Sequence, residues 1–184
     1  QVRAAVRDDD PHCPISRLLL LENTQNRCGG VVLGLDYMKQ VGDLASETGL
    51  KVHLDGARIF NAAAALEVPA ADLVRQADSV TFCLSKGLCA PVGSVLCGSR
   101  DFIARALRAR KQLGGGMRQA GILAAAGIIA LEKMTTRLGE DHARARDLSK
   151  GLASIPGICL DHPAPATNMV FFTLAPEIGP GADE

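Results

Sequence analysis

Short apolar runs of strand length alternate along the chain with segments whose apolar residues recur at helical spacing. Arg17 to Glu22 (RLLLLE) is the first such run, and Lys51 to Leu54 (KVHL) is a second that ends at Asp55-Gly56. Ser79 to Leu84 (SVTFCL) and Gly93 to Cys97 (GSVLC) read the same way, as β-branched and apolar residues bounded by breakers. Between the first two, Asp36 to Thr48 places Tyr37, Met38, Val41, Leu44 and Ala45 on one helical face. That spacing predicts a helix capped by Asp36 and stopped at Gly49. Shorter helices are predicted over Ala57 to Leu66 and Pro69 to Gln76. Ser99 to Leu113 predicts a longer one with Phe102, Ile103, Ala106 and Leu107 turned inward. Two more are expected from Met117 to about Met134 and from Thr136 to about Ala153.

Strands separated by helices of this length build a sheet with helices on its faces, so the fold class is α/β. The character changes near Pro156-Gly157. Ile155 to Pro165 is rich in proline, and Asn168 to Leu174 (NMVFFTL) reads as a new strand. The expected organisation is therefore a large domain over residues 1–154 and the start of a small C-terminal α+β domain over 155–184. The tail Gly179 to Glu184 has no packing signal.

Composition narrows the function classes. With 47% apolar residues the chain can bury a substantial core. Twenty basic and twenty acidic residues cancel, and neither sign forms a long block. Only 3% of residues are aromatic, which leaves little for base stacking. Nucleic acid and anionic membrane surfaces are thus poor partners, and a small-molecule ligand or a protein partner is expected. No apolar run approaches the roughly 20 residues of a membrane span. The most apolar stretch, Gly121 to Leu131, is short and rich in alanine, as in a buried helix. Charges at Gln1 to Pro11 stand where a signal peptide would be apolar. The six cysteines form no C-x-x-C pair and have no histidine at zinc-finger spacing, so free thiols in a reducing compartment, the cytosol, are expected.

In open α/β sheets ligands gather at the carboxyl ends of strands. Asp55 ends one predicted strand, and Ser85-Lys86 ends another. Asp55-Gly56-Ala57-Arg58 sets an acid and a guanidinium three positions apart, and Ser85-Lys86-Gly87 is followed by Pro91 and Gly93. Such charges are often solvated loop residues. Here small neighbours restrict the loops, and a lysine shielded from water becomes a nucleophile toward aldehydes. An aldehyde cofactor with a basic ring nitrogen would use both a Schiff-base lysine and a carboxylate.

Four segments, LENTQN (Leu21 to Asn26), HLDGARIFNA (His53 to Ala62), CLSKGLCAPVGS (Cys83 to Ser94) and RKQLGGGMRQAGILAAAG (Arg110 to Gly127), resemble the low-specificity L-threonine aldolases. These are fold-type I pyridoxal-phosphate enzymes. The likeness runs from about Leu18 to about Asp147 and more weakly through TNMVFF. It implies the central part of a fold-type I large domain, a mostly parallel mixed sheet with helices on both faces. It also implies the cofactor pyridoxal 5'-phosphate, bound covalently by Lys86, with Asp55 on its pyridine nitrogen and Arg58 close to cofactor and bound amino acid. Lys111 and Arg118 bracket Gly114-Gly115-Gly116, a region that the resemblance associates with the cofactor phosphate and the subunit interface. Consecutive glycines next to a helix start suit an anion. The implied reaction is retro-aldol cleavage of threonine or allo-threonine to glycine and acetaldehyde, by a homotetramer built as a dimer of dimers.

The sequence departs from the family pattern in two places. Gln25 stands where the family usually has histidine, and glutamine is no general base near neutral pH. Cys89 stands where glycine is usual, and would carry a strain of about 1 kcal/mol if that position needs a positive φ. The resemblance also enters past the family's phosphate-cup turn and its ring-stacking histidine, and stops before the arginine expected on the substrate carboxylate. A catalytically silent relative and another fold-type I lyase or aminotransferase are the alternative readings. His53 alternates onto the face of Asp55, either supporting that carboxylate or satisfied elsewhere. His12, His142 and His162 have no partner that the sequence names.

Overall fold

A computed structural model describes residues 1–178; the expectation for Gly179 to Glu184 lies outside the described residues. Four strands form the main sheet in the order β1 (Leu18–Glu22), β2 (Lys51–Asp55), β3 (Ser79–Cys83), β4 (Ser94–Gly98). The first three are parallel, and β4 returns antiparallel to β3. Register pairs Glu22 with Asp55, Asp55 with Thr81 and Cys83 with Ser94. A mixed, mostly parallel sheet is therefore present as expected.

Alternation divides the sheet into two unlike faces. Val52, Leu54 and Val80 are buried under α2 (Leu35–Thr48), α3 (Ile59–Leu66) and α4 (Ala70–Leu73), in clusters with Met38, Val41, Ile59, Ala62 and Leu73. The opposite face carries Leu20, His53, Asp55, Ser79 and Thr81, and is covered only in part by α5 (Arg100–Gln112), whose Phe102 packs on Gly98. The helix α6 (Gly121–Ile129) runs through a π-helical stretch, Ala130–Met134, and a 3-10 turn into α7 (Leu138–Ala153). A separate two-stranded antiparallel sheet joins β5 (Ile158–Leu160) to β6 (Phe172–Leu174).

Several boundaries differ from expectation for local reasons. Gly34, not Asp36, caps α2, and Asp36 instead lies in the first turn, where a carboxylate favours the helix dipole. Gly49 ends that helix in the left-handed region, φ 70°, as expected. Tyr37 and Leu107, expected inward, are exposed. The helix expected over Pro69 to Gln76 spans only Ala70–Leu73. The one expected from Met117 starts at Gly121, because Gln119 takes φ 49° and breaks the run. Of Asn168 to Leu174, only Phe172–Leu174 is strand. The short helix α1 (Val2–Ala5) and strand β5 lie where none was expected.

Candidate active site

The carboxyl ends of β2 and β3 bring two loops side by side. Gly56 N–H donates to Thr81 C=O at 2.7 Å, and Asn23 N–H donates to Asp55 C=O at 2.9 Å. A Cβ on Gly56 would stand 2.9 Å from that Thr81 oxygen, so only glycine lets the loop cross here. Asp55 Oδ1 accepts the Ala57 N–H at 2.9 Å, which fixes the carboxylate and leaves its second oxygen with no hydrogen bond among the described residues. Arg58 follows at the N-cap of α3 and is half-buried.

Lys86 stands on a turn just past β3. Cys89 N–H donates to Lys86 C=O at 2.9 Å, and Ala90 N–H to Leu84 C=O at 2.9 Å. Leu88 and Ala90 anchor the turn in a cluster with Ala130 and Leu138. Cys89 closes it at φ 60°, the left-handed region expected from the usual glycine there. Lys86 is exposed, without the shielding from water expected from its small neighbours, and no carboxylate among the described residues pairs with it.

The remaining candidates lie farther out. Helix α5 runs back along β4, and its Arg110 lines one groove with Ser94 and Val95 at the same end of the sheet as Asp55. Lys111 lies in its last turn with its stem over Gly116, whose Cβ would stand 2.8 Å from Lys111 Cδ. Arg118 is exposed in the loop that follows. Asp55, Arg58 and the Lys86 turn are thus gathered at one strand end. Lys111 and Arg118 make no hydrogen bond or ion pair with them among the described residues.

Histidines settle differently from one another. His53 Nδ1 lies 2.7 Å from Ser79 Oγ, so it is satisfied by the neighbouring strand rather than by Asp55. His12 pairs with Asp10, and the His162 ring lies against Gly29. His142, unassigned from sequence, is buried on Asn61 at 3.1 Å. Burial is the main cause that holds its pKa below the ordinary histidine value; Arg146 adds to it and Asp141 opposes it. Gln25, at the first departure, accepts the Cys28 N–H at 2.7 Å and so closes its own turn.

The architecture and the sequence find the same relatives. The model of the beta-eliminating lyase family matches residues 1–175. The chain belongs to that family. It is 48% identical over 175 residues to low-specificity L-threonine aldolase 1 of Arabidopsis thaliana, covering 94% of this chain and 49% of that protein. It is 45% identical to the low specificity L-threonine aldolase of Escherichia coli K12, covering 96% and 51%. The structure of Leishmania major threonine aldolase superposes with a TM-score of 0.77 at 21% identity over 96% of this chain and 52% of that one, which is a likeness of fold. The chain spans about half the length of the curated relatives it matches. Within this family its fold is that of the fold-type I pyridoxal-phosphate enzymes.

Sequence reasoning missed three supports of this site. Asn23 holds the loop after β1 by both edges of its amide, donating to Leu33 C=O at 2.9 Å and accepting Leu33 N–H at 3.1 Å. Thr167, fully buried, donates to Gly30 C=O at 3.1 Å and ties that loop to the segment before β6. Asn61 is the third. Asn23, Asn61 and Thr167 each lie inside a segment that carries the resemblance, so the signal was present, but no partner was legible.

Proposed function

We propose that these residues form the cofactor centre of a carbon–carbon lyase that cleaves L-threonine and L-allo-threonine to glycine and acetaldehyde with pyridoxal 5'-phosphate. The observation that carries the reading is the register that sets Asp55 beside Thr81 and delivers the Lys86 turn five residues later to the same strand end. The residues fit that cofactor. An amine able to take its aldehyde, an oriented carboxylate oxygen left without a protein partner, and a glycine crossing that a Cβ would fill all occur together.

When bound, the cofactor supplies an electron sink for the electrons of the breaking Cα–Cβ bond. Lys86 is the residue that holds it covalently. The free oxygen of Asp55 would hold a proton at the ring nitrogen, as an anion already oriented by the Ala57 N–H. Arg58, half-buried at the start of α3, would face the cofactor and the bound amino acid. Lys111 and Arg118 serve the phosphate from the glycine loop. The same reading places the domain boundary at residues 154 and 155, the assembly as a dimer of dimers, and the enzyme in the cytoplasm with no nucleic-acid or membrane partner. No helix among the described residues is long and apolar enough to cross a membrane.

Gln25 supports a second reading, a silent relative, since its side chain is engaged with Cys28 N–H and is no base. Borohydride treatment of the protein with pyridoxal phosphate, followed by peptide mass spectrometry, is expected to find the pyridoxyl group on Lys86 and none in Lys86→Ala. Labelling elsewhere, or equal labelling in the variant, refutes the role of Lys86. Glycine release from threonine separates the enzyme from a silent relative.

A further inference from the structure

Beneath the Lys86 turn lies a buried polar pair that the proposed chemistry leaves unused. Asn61 on α3 and His142 on α7 are each 3% exposed. Close by, Leu88, Ala90, Ala130 and Leu138 form an apolar cluster with Phe60 and Ala64. Polar groups in such a place disfavour folding unless they satisfy one another, and an apolar pair would fill the space without that requirement. Asn61 Nδ2 lies 3.1 Å from His142 Nε2.

The same amide lies beneath Gly87, the residue after the lysine. Asn61 Oδ1 is 3.3 Å and Asn61 Nδ2 3.7 Å from the point that a Cβ on Gly87 would occupy, and Leu138 Cδ2 is 2.9 Å from it. Gly87 therefore rests on Asn61 and on the first residue of α7. Asn61 N–H also donates to Arg58 C=O at 2.9 Å. One residue thus touches both strand-end loops, the Asp55–Arg58 loop through its backbone and the Lys86 turn through its side chain.

The pair is sensitive to one proton. An amide N–H that donates to Nε2 needs the lone pair of that nitrogen, hence a neutral imidazole. A proton on Nε2 removes the acceptor. Asn61 must then turn its amide over, which exchanges the nearer oxygen and the farther NH2 beneath Gly87, or lose the bond. Few charges compete for control of this proton. Helix α3 (IFNAAAAL) carries no ionisable side chain, and β5 carries only the exposed Cys159. Arg137, just before α7, is held at the surface on Glu140. On α7 itself Arg146 opposes protonation and Asp141 favours it. Lys86 and Cys89, on the turn above, are exposed.

The geometry points to Asn61 and His142 as positioning residues for Lys86: the neutral pair holds the turn that carries the lysine, and protonation of His142 reorients Asn61 and loosens that turn. This rests on the reading of Lys86 as the cofactor lysine.

The test uses the full-length protein from about pH 5 to about pH 8, across the ordinary histidine range. Two quantities are read: pyridoxyl trapped on Lys86 by borohydride, and amide exchange in the peptide over residues 84–90. Glutamine at 142 can still bond to Asn61 but does not titrate. In His142→Gln, trapping at neutral pH is expected within about twofold of native, a shift smaller than one hydrogen bond produces. Native protein is expected to show an extra fall of about fivefold as pH drops below about 6.5, with faster exchange over 84–90; both are absent from His142→Gln. Asn61→Leu is expected to trap about fivefold less at every pH and to exchange fast throughout. Parallel profiles in native and His142→Gln overturn the proposal, as does an exchange rate over 84–90 that follows only intrinsic amide chemistry. No trapping on Lys86 in native protein overturns the cofactor reading instead, and the exchange comparison then decides the positioning role alone. Native exchange across pH needs no variant, so the proposal stays testable if Asn61→Leu does not fold.

Discussion

Two regions carry the resemblance with motifs of similar length, and the fold treats them differently. The Asp55 and Lys86 loops rest on buried side chains: Leu54, Ile59 and Val80 under the first, Leu88, Ala90 and Leu138 under the second. The arm made by α5, the glycine loop and α6 is different. Among the described residues α5 buries no side chain and α6 buries only Gly127. Leu113 is 87% exposed and Ile122 76%. Monomeric proteins seldom leave neighbouring large apolar residues in water. A motif can therefore be strong in sequence for two reasons: its residues pack within the chain, or they meet a partner beyond it. The proposed homo-oligomer would supply that partner for the arm.

The sharpest way to break this contrast is to hollow out the packed region. Leu54 is fully buried among Met38, Ile59, Ala62 and Leu73. Leu54→Ala removes that packing and leaves a cavity, and is expected to cost about 3 kcal/mol in denaturant unfolding. A loss below about 1 kcal/mol would mean that the core beneath Asp55 is not close-packed.

A smaller effect should come from the turn itself. Cys89 holds φ 60°, where a Cβ crowds the following carbonyl. Its thiol offers little in return, being exposed, with Sγ 3.5 Å from Gly87 C=O. Cys89→Gly relieves the strain but adds freedom to the unfolded chain. Strain should win, giving a gain of about 1 kcal/mol. A loss of stability would show that the turn tolerates the side chain without cost.

What was legible in the sequence follows the same division. The four strands of the main sheet were readable because β-branched and apolar runs lay between clear breakers, and a buried parallel strand needs little more. Asp55 and Lys86 were readable because each ends such a run. The start of α6 was not, since its loop turns on a left-handed Gln119 with no strong local signal. Leu107 follows helical periodicity inward, yet it stays exposed, beside Ser94, Val95 and Leu96 in an open groove between α5 and β4. Strand β5 exists only through its pairing with β6 across a proline-rich segment. Asn61 and His142 are 81 residues apart, and no spacing rule links them before the helices pack.

The smallest expected effect is the most discriminating for the arm. Ile122 is in the first turn of α6, and its side chain meets mostly solvent within the chain. If its apolar character serves an interface between copies, Ile122→Ser should change the unfolding free energy of the dilute chain by less than about 0.5 kcal/mol. The same substitution should weaken self-association in sedimentation, because a hydroxyl would be desolvated where a butyl group was buried. The two measurements separate the causes of exposure. A stability loss above about 1 kcal/mol would place Ile122 in this chain's own core and erase the distinction between the regions. Unchanged stability with unchanged association would leave the arm apolar without an interface to explain it, and would count against the proposed assembly.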